Sequence, residues 1–273
     1  MPGFIGKIGN SSLRFSEEKR PSLVMNTLIA DGAYHFEQRT INKFMNDKLF
    51  VANDKYLIIT EGVILNNHQM KQQYHASSWQ ECVEKMYEQL GETFYLPWRG
   101  SFCGLLYDKQ EDKWIIFTNH IGDKQLFYTQ QASSWLISTE MDALVRTMKQ
   151  NNLSLTLNRD AVYFSITHGF MIEDQTIAQE IKKLPAGHYL RIQGCKSEVI
   201  QYHRFTNKPN RDITHKEAVK RIDQLFRNAV QLQFEKDKEY GYKHLTCLSG
   251  GLDSRMTVWV AHQMGYTEQL NTT

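Results

Sequence analysis

The sequence is poor in the features that mark specialised classes of protein. Its four cysteines (Cys82, Cys103, Cys195 and Cys247) stand far apart with no C-x-x-C pair. That argues against a zinc knot or a disulfide scaffold and predicts reduced thiols in a cytosol. Proline (5) and glycine (16) are too few for a collagen-like or low-complexity chain. Neither sign of charge prevails: 32 Lys and Arg against 30 Asp and Glu leave +2, so no concentrated field invites nucleic acid or an anionic membrane surface. Long apolar runs are missing too. Met1-Pro2-Gly3-Phe4-Ile5-Gly6-Lys7 lacks the roughly 7–15 apolar residues of a signal peptide. The tightest cluster, Trp114-Ile115-Ile116-Phe117, is far below the roughly 18 residues of a membrane span. What is present is a globular balance, 41% hydrophobic and 23% charged over 273 residues, enough for one large domain or two ordinary ones. The expected location is cytoplasmic.

Up to Phe205 the chain reads mostly as short strands. Lys55-Tyr56-Leu57-Ile58-Ile59-Thr60 is a compact β-rich run, expected to break at Glu61-Gly62. Residues 102–107, 114–118, 125–128 and 134–138 follow at hairpin spacing. Helices interrupt them. Trp79, Val83, Met86, Tyr87 and Leu90 recur at helical spacing behind a Ser77-Ser78 cap, and residues 140–148 and 160–165 are shorter candidates. Strands with intervening helices and no βαβ rhythm predict an α+β layered domain.

After Phe205 the character changes. Residues 206–212 are polar, contain Pro209 and read as a linker. Thr214-His215-Lys216-Glu217 matches a capping box, and a long helix should follow with Val219, Ile222, Leu225, Phe226, Ala229, Val230 and Leu232 on one stripe. A strand at 244–248, a glycine-rich turn and a helix at 252–264 then give β-turn-α, the opening unit of a parallel α/β domain.

That turn carries the sharpest motif, Leu248-Ser249-Gly250-Gly251-Leu252-Asp253-Ser254. Two glycines at a strand-to-helix turn let backbone amides approach a ligand, and the helix N-terminus adds unpaired N–H donors and partial positive charge. Ser249 and Ser254 add hydroxyls for phosphate oxygens. Asp253 suits an anion site only where a divalent cation such as Mg²⁺ bridges it to the phosphates. No Gly-Lys-Ser/Thr follows and there is no G-x-G-x-x-G, so this is neither a Walker loop nor a dinucleotide fingerprint. The plainer alternative is a glycine-rich helix entry capped by Ser and Asp.

The loop resembles the pyrophosphate loop of ATP pyrophosphatases, and the segments before it narrow the resemblance. Glu61-Gly62-Val63-Ile64-Leu65-Asn66 is similar to N-G-E-I-Y-N, and Arg99-Gly100-Ser101-Phe102-Cys103-Gly104-Leu105-Leu106-Tyr107-Asp108 to D-G-M-F-A-F-A-I-Y-D. Residues 119–128 resemble R-D-x-x-G-x-K-P-L-Y-Y, 138–144 resemble A-S-E-x-x-A-L, and 184–189 resemble L-P-P-G-H. In this order they resemble the asparagine synthetase B-like family, in which a glutaminase domain of the Ntn-hydrolase fold precedes a ligase domain. The resemblance implies that residues 1–207 form a type 2 glutamine amidotransferase-like four-layer αββα sandwich. It implies that 208–273 begin an α/β PP-loop domain binding ATP through Leu248, Ser249, Gly250, Gly251, Leu252, Asp253 and Ser254. Mg²⁺ would be held by Asp253 indirectly or through phosphate. It further implies adenylation of a small-molecule carboxylate, amide formation with ammonia or a substrate amine, release of AMP and pyrophosphate, and a homodimer.

The departures matter as much. The family's catalytic cysteine becomes residue one after Met removal, its own amine serving as base; here Pro2 stands at that place and brings no thiol. Where an aspartate would hold the substrate's α-amine stands Arg99, which would repel that cation. The N-G-E of the glutamine pocket is Glu61-Gly62-Val63. No counterpart of the carboxylate-binding arginine is evident, though Lys48 and Lys55 lie nearby. The pocket is therefore expected to be degenerate, with no catalytic residue. Cys103 and Cys82 read as inert packing, and the ten histidines form no metal-binding spacing. Family ligase domains run well past the loop, so the chain reads as part of a longer polypeptide or as one whose tail docks elsewhere. Two functions stay open: an ATP-dependent ligase, or a truncated or degenerate relative acting as a scaffold or partner-binding module.

Overall fold

The structure, a computed structural model, describes residues 3–10, 12–17, 22–28, 30–132, 134–209 and 211–272. The chain divides into two compact units, Met1–Arg204 and Phe205–Thr273.

The first unit opens with strands β1 (Gly3–Ile8), β2 (Leu23–Leu28), β3 (Tyr34–Ile41), β4 (Leu49–Ala52) and β5 (Tyr56–Ile64). Helices α1 (Asn67–Gln73) and α2 (Trp79–Leu90) follow, then β6 (Gly100–Asp108), β7 (Lys113–Thr118), β8 (Phe127–Gln131) and β9 (Ser134–Ser138). Helices α3 (Met141–Gln150) and α4 (Arg159–His168) lead to β10 (Lys182–Lys183), β11 (His188–Gln193) and β12 (Lys196–Gln201). The strands make two six-stranded sheets, ordered β10-β8-β9-β1-β3-β2 and β12-β11-β7-β6-β5-β4.

Alternation of side chains along each strand assigns the layers. Leu57, Ile59, Leu105 and Ile116 of one sheet meet Phe4, Phe36 and Ile137 of the other in a shared core. Their sequence neighbours Ile58, Leu106, Ile115 and Phe117 turn the opposite way, under Val83 and Met86 of α2. Ile5, Phe127 and Leu136 likewise turn outward, under Ala143, Leu144 and Met148 of α3. Helix, sheet, sheet, helix is the order: a four-layer α+β sandwich. Helix α2 begins where the pattern predicts because the Ser78 side chain accepts the Glu81 N–H.

One expectation is overturned here. The strand expected to break at Glu61-Gly62 continues as β5 to Ile64. Gly62 adopts φ 122°, and a Cβ there would collide with the Ser101 carbonyl oxygen on β6. Glycine in this strand permits close backbone approach rather than ending the run.

The second unit holds α5 (His215–Glu239), β13 (His244–Thr246), α6 (Leu252–Gln263) and β14 (Leu270–Thr272). β13 and β14 pair in parallel, so β13-α6-β14 is a crossover unit. The capping box at Thr214 and Glu217 is formed. β13 is shorter than expected, since Cys247 and Leu248 already lie in the turn. The predicted stripe of α5 is used only in part. Val230 packs with Phe234, Val260 and Ala261, while Val219, Ile222 and Leu225 are exposed. Among the described residues no helix is long and apolar enough to cross a membrane.

Candidate functional site

In the first unit, the residues singled out by sequence surround a buried ion pair. Lys48 follows a short 3-10 turn (Met45–Asp47), and its Nζ lies 3.1 Å from Glu61 Oε1, both side chains being 3% exposed. The same ammonium donates to Thr40 Oγ1 at 2.7 Å and to the Ile41 carbonyl at 3.1 Å. Its three N–H bonds therefore all have acceptors. Burial pushes the Lys48 pKa below its ordinary value, opposed by the attraction of Glu61. Lys124 approaches the same Glu61 oxygen at 3.9 Å. Asp47 braces the turn by accepting the Ile64 N–H at 3.1 Å and Asn67 Nδ2 at 2.6 Å.

Gly62 and Gly100, on facing strands, both adopt positive φ, 122° and 130°, and each would drive a Cβ into the other strand's backbone. Val63 is half-buried and opposite Ser101. Arg99 folds back on its own turn, donating to the Leu96 and Trp98 carbonyls at 3.2 and 2.9 Å. Asn119 donates to the Gly100 carbonyl at 3.0 Å. Burial pushes the thiol of Cys82 up to about 11 and that of Cys103 up to about 12, which removes thiolate character at neutral pH. Pro2 lies outside the described residues. Asp47 and Thr40 carry no signal in the sequence, because they come from separate elements with no spacing to link them, and Asn119 and Lys124 stand out there only as members of the 119–128 segment.

The second site is the turn between β13 and α6. Ser254 Oγ accepts the Ser249 N–H at 3.1 Å and lies 3.0 Å from Ser249 Oγ, which in turn accepts the Gly251 N–H at 3.2 Å. Arg255, which no motif had flagged, donates Nε to the Gly251 carbonyl at 3.1 Å and Nη2 to the Gly250 carbonyl at 3.3 Å. The Gly250 and Gly251 carbonyls are thus held by Arg255, and the N-cap of α6 is Gly251, which makes no side-chain cap bond. A Cβ on Gly250 would meet nothing within 4 Å, and one on Gly251 only Ser249 Oγ at 3.4 Å. Neither crowding nor a positive φ requires these glycines, so their effect is to leave a bare backbone edge. Asp253 is exposed in the first turn of α6, and its carboxylate has no hydrogen-bond or ion-pair partner among the described residues. Among those residues no three His, Cys, Asp or Glu side chains converge as metal ligands.

With this geometry in view, the likeness to known proteins is specific. A family model described as a glutamine amidotransferase domain matches residues 42–204. A Methanocaldococcus jannaschii relative assigned to the glutamine-hydrolysing asparagine synthetases is 23% identical over 236 residues, 83% of this chain and 45% of its own length. Asparagine synthetase B of Escherichia coli, named as glutamine-hydrolysing, is 24% identical over 220 residues, 76% of this chain and 32% of its own length. The chain spans less than half the length of these curated relatives. Among solved structures, glutamine PRPP amidotransferase from Bacillus subtilis aligns with TM-score 0.41 at 11% identity, over 76% of this chain and 44% of that one. The domain match takes in β4 to β12 and the Lys48–Glu61 pair, and on it the chain belongs to the asparagine synthetase-like glutamine amidotransferase family.

Proposed function

We propose that this chain belongs to an ATP-dependent ligase whose amidotransferase unit does not hydrolyse glutamine and whose loop at 248–254 holds the pyrophosphate of Mg-ATP. The observation that carries the reading is the open loop: an N-cap without a side-chain bond, two glycines that neither crowding nor a positive φ requires, and a carboxylate with no partner among the described residues, all at one helix entrance. In the reaction, a carboxylate oxygen attacks the α-phosphorus, the bond to the β-phosphate oxygen breaks, and pyrophosphate leaves. Ammonia or a substrate amine then attacks the acyl carbon and expels AMP. The amides of Gly250, Leu252, Asp253 and Ser254 and the two serine hydroxyls would bind the leaving group. Arg255 keeps the loop's carbonyl oxygens turned to itself. Asp253 fits a hard cation, being an oxygen ligand with no internal partner, and Mg²⁺ there would supply charge neutralisation. The nitrogen source follows from the first unit, where Lys48 and Glu61 satisfy one another and the sequence has Pro2 in place of a cysteine.

Pyrophosphate exchange tests the ligase half. With a polypeptide that carries a complete ligase segment, a panel of carboxylates should reveal one that supports ATP–pyrophosphate exchange, and Asp253→Asn should abolish it with the fold intact. Unchanged exchange in that variant would reduce Asp253 to a spectator. Glutamine incubation should release no glutamate above a buffer blank; stoichiometric labelling by a glutamine-analogue electrophile would defeat that half of the reading. The scaffold alternative draws on the exposed apolar residues Val219, Ile222, Leu225 and Trp259. It would stand if no carboxylate supported exchange.

A further inference from the structure

The far end of the first unit's two sheets lies well along β7 from Lys48 and Glu61. Thr118 of β7 pairs with Cys103, itself opposite Glu61, whereas Lys113 at the start of β7 pairs with Gln193. Five residues of strand separate these levels, about 17 Å at roughly 3.3–3.4 Å per residue. At the far level lies a hollow of about 280 Å³ between the β8–β9 and β11–β12 hairpins, one from each sheet. That is close to the lower bound of roughly 300 Å³ for small-molecule pockets. Its walls include Trp135 and Ile192, both nearly buried, with Ala132 beside them. Gln130, Cys195 and Lys196 also line it, and the same three border an adjoining hollow of about 800 Å³.

Charge decides what could enter. Arg191, in the adjoining hollow, is neutralised by Glu92 at 3.3 Å and Glu198 at 2.8 Å. Lys196 has no ion-pair partner among the described residues, so its ammonium is the uncompensated charge at the rim. Gln130 is weakly engaged, its Nε2 lying 3.5 Å from the Ala132 carbonyl, at the limit of a hydrogen bond. An apolar wall beside an ammonium with no ion-pair partner among the described residues and a weakly held amide suits a ring bearing an anion. We propose that this hollow binds a small aromatic carboxylate, its ring against Trp135 and Ile192 and its carboxylate at Lys196. The site shares no residue with either site above and does not depend on the ligase reading.

The intact chain carries its own reporters. Cys195 lines the hollow and is exposed; Cys247, in the second unit and also exposed, does not line it; Cys82 and Cys103 are buried. Iodoacetamide labelling is followed by peptide mapping while 1-naphthoate is titrated. Near saturation, Cys195 labelling should slow about fivefold and Cys247 labelling should not change. Lys196→Glu, at an exposed position, should weaken protection about tenfold, and 1-naphthylmethanol, with the same rings and no charge, should protect correspondingly less. The proposal is overturned by no protection of Cys195, by equal protection of Cys247, or by protection undiminished in Lys196→Glu or with the alcohol.

Discussion

Glycine stands at both candidate sites, for opposite reasons. Gly62 and Gly100 have positive φ, with a facing backbone oxygen where a side chain would begin; the sandwich itself demands them. Gly250 and Gly251 meet no such demand. The charged residues divide in the same way. Lys48 and Glu61 are buried against each other, whereas Asp253 is exposed and its carboxylate has no partner among the described residues. One site is filled by the chain's own side chains and the other is left open by them. Residues whose type the fold does not explain are therefore a better guide to a ligand than family motif positions taken alone.

The filled site can be broken most severely at its ion pair. Glu61→Leu leaves a buried ammonium without its counter-charge and should cost about 3–5 kcal/mol. Lys48→Met should cost less, because Lys124 already stands 3.9 Å from the carboxylate. The double variant should recover most of the loss, since a well-packed apolar pair replaces a buried ion pair at little cost. Urea unfolding of the three variants checks this. A double variant as unstable as Glu61→Leu would mean that the pocket does more than fill itself.

Alanine at the glycines sharpens the contrast next. Gly62→Ala and Gly100→Ala each add positive-φ strain to a backbone collision and should cost about 2–4 kcal/mol. Gly250→Ala should stay within about 0.5 kcal/mol of the parent in thermal unfolding, yet lower pyrophosphate exchange in the polypeptide with a complete ligase segment. Similar stability losses at all three would remove the distinction.

Alkaline pH should also tell the units apart. Burial pushes Tyr107 and Tyr128 up to about 12 and raises Tyr87, Tyr95, Tyr189 and Tyr202 further, all in the first unit. In the second unit burial raises Tyr266 as well. A raised tyrosine keeps its proton when folded after the unfolded chain has lost it, so it leaves stability unchanged below about pH 10 and lowers it as pH rises beyond. Lys48, shifted downward, acts in the opposite direction, one group against several. Tyrosinate absorbance should therefore appear above pH 10 together with loss of near-ultraviolet dichroism from the first unit. Non-cooperative appearance, with the dichroism intact, would contradict the burial.

What could be read from the sequence followed from how local each signal is. Helix α2 and strand β9 have the bounds that spacing, capping and hairpin rhythm predict, because those signals sit within a few residues. The turn at 248–254 stands out in the sequence for the same reason, since its residues are contiguous. Glu61-Gly62 misled because a glycine normally punctuates a strand, and only the facing β6 backbone shows that this one lets two strands touch. The Lys48–Glu61 pair joins a turn to a strand and Lys124 arrives from a loop, so no period connects them. Along α5 the helical period was right, but period alone does not say which of its apolar residues find a partner.

The finest test lies in the caps of the second unit's two helices. Helix α5 has a complete capping box, the Glu217 N–H donating to Thr214 Oγ1 at 3.3 Å and the Thr214 N–H to Glu217 Oε2 at 3.0 Å. Thr214→Ala should cost about 1 kcal/mol in urea unfolding. Helix α6 has Gly251 at the corresponding place, at φ −77° and ψ 165°, with no side-chain bond. Any residue adopts that backbone conformation, and a Cβ would touch only Ser249 Oγ. An asparagine there can accept a first-turn N–H, so Gly251→Asn should stabilise the unit by a few tenths of a kcal/mol. The same side chain would occupy amides that the proposed function reserves for pyrophosphate, so exchange should fall while stability rises. Opposite signs from one substitution would be the behaviour of a helix end left uncapped for a ligand. If exchange survived the added cap, those amides would be idle and the loop no more than a helix entry.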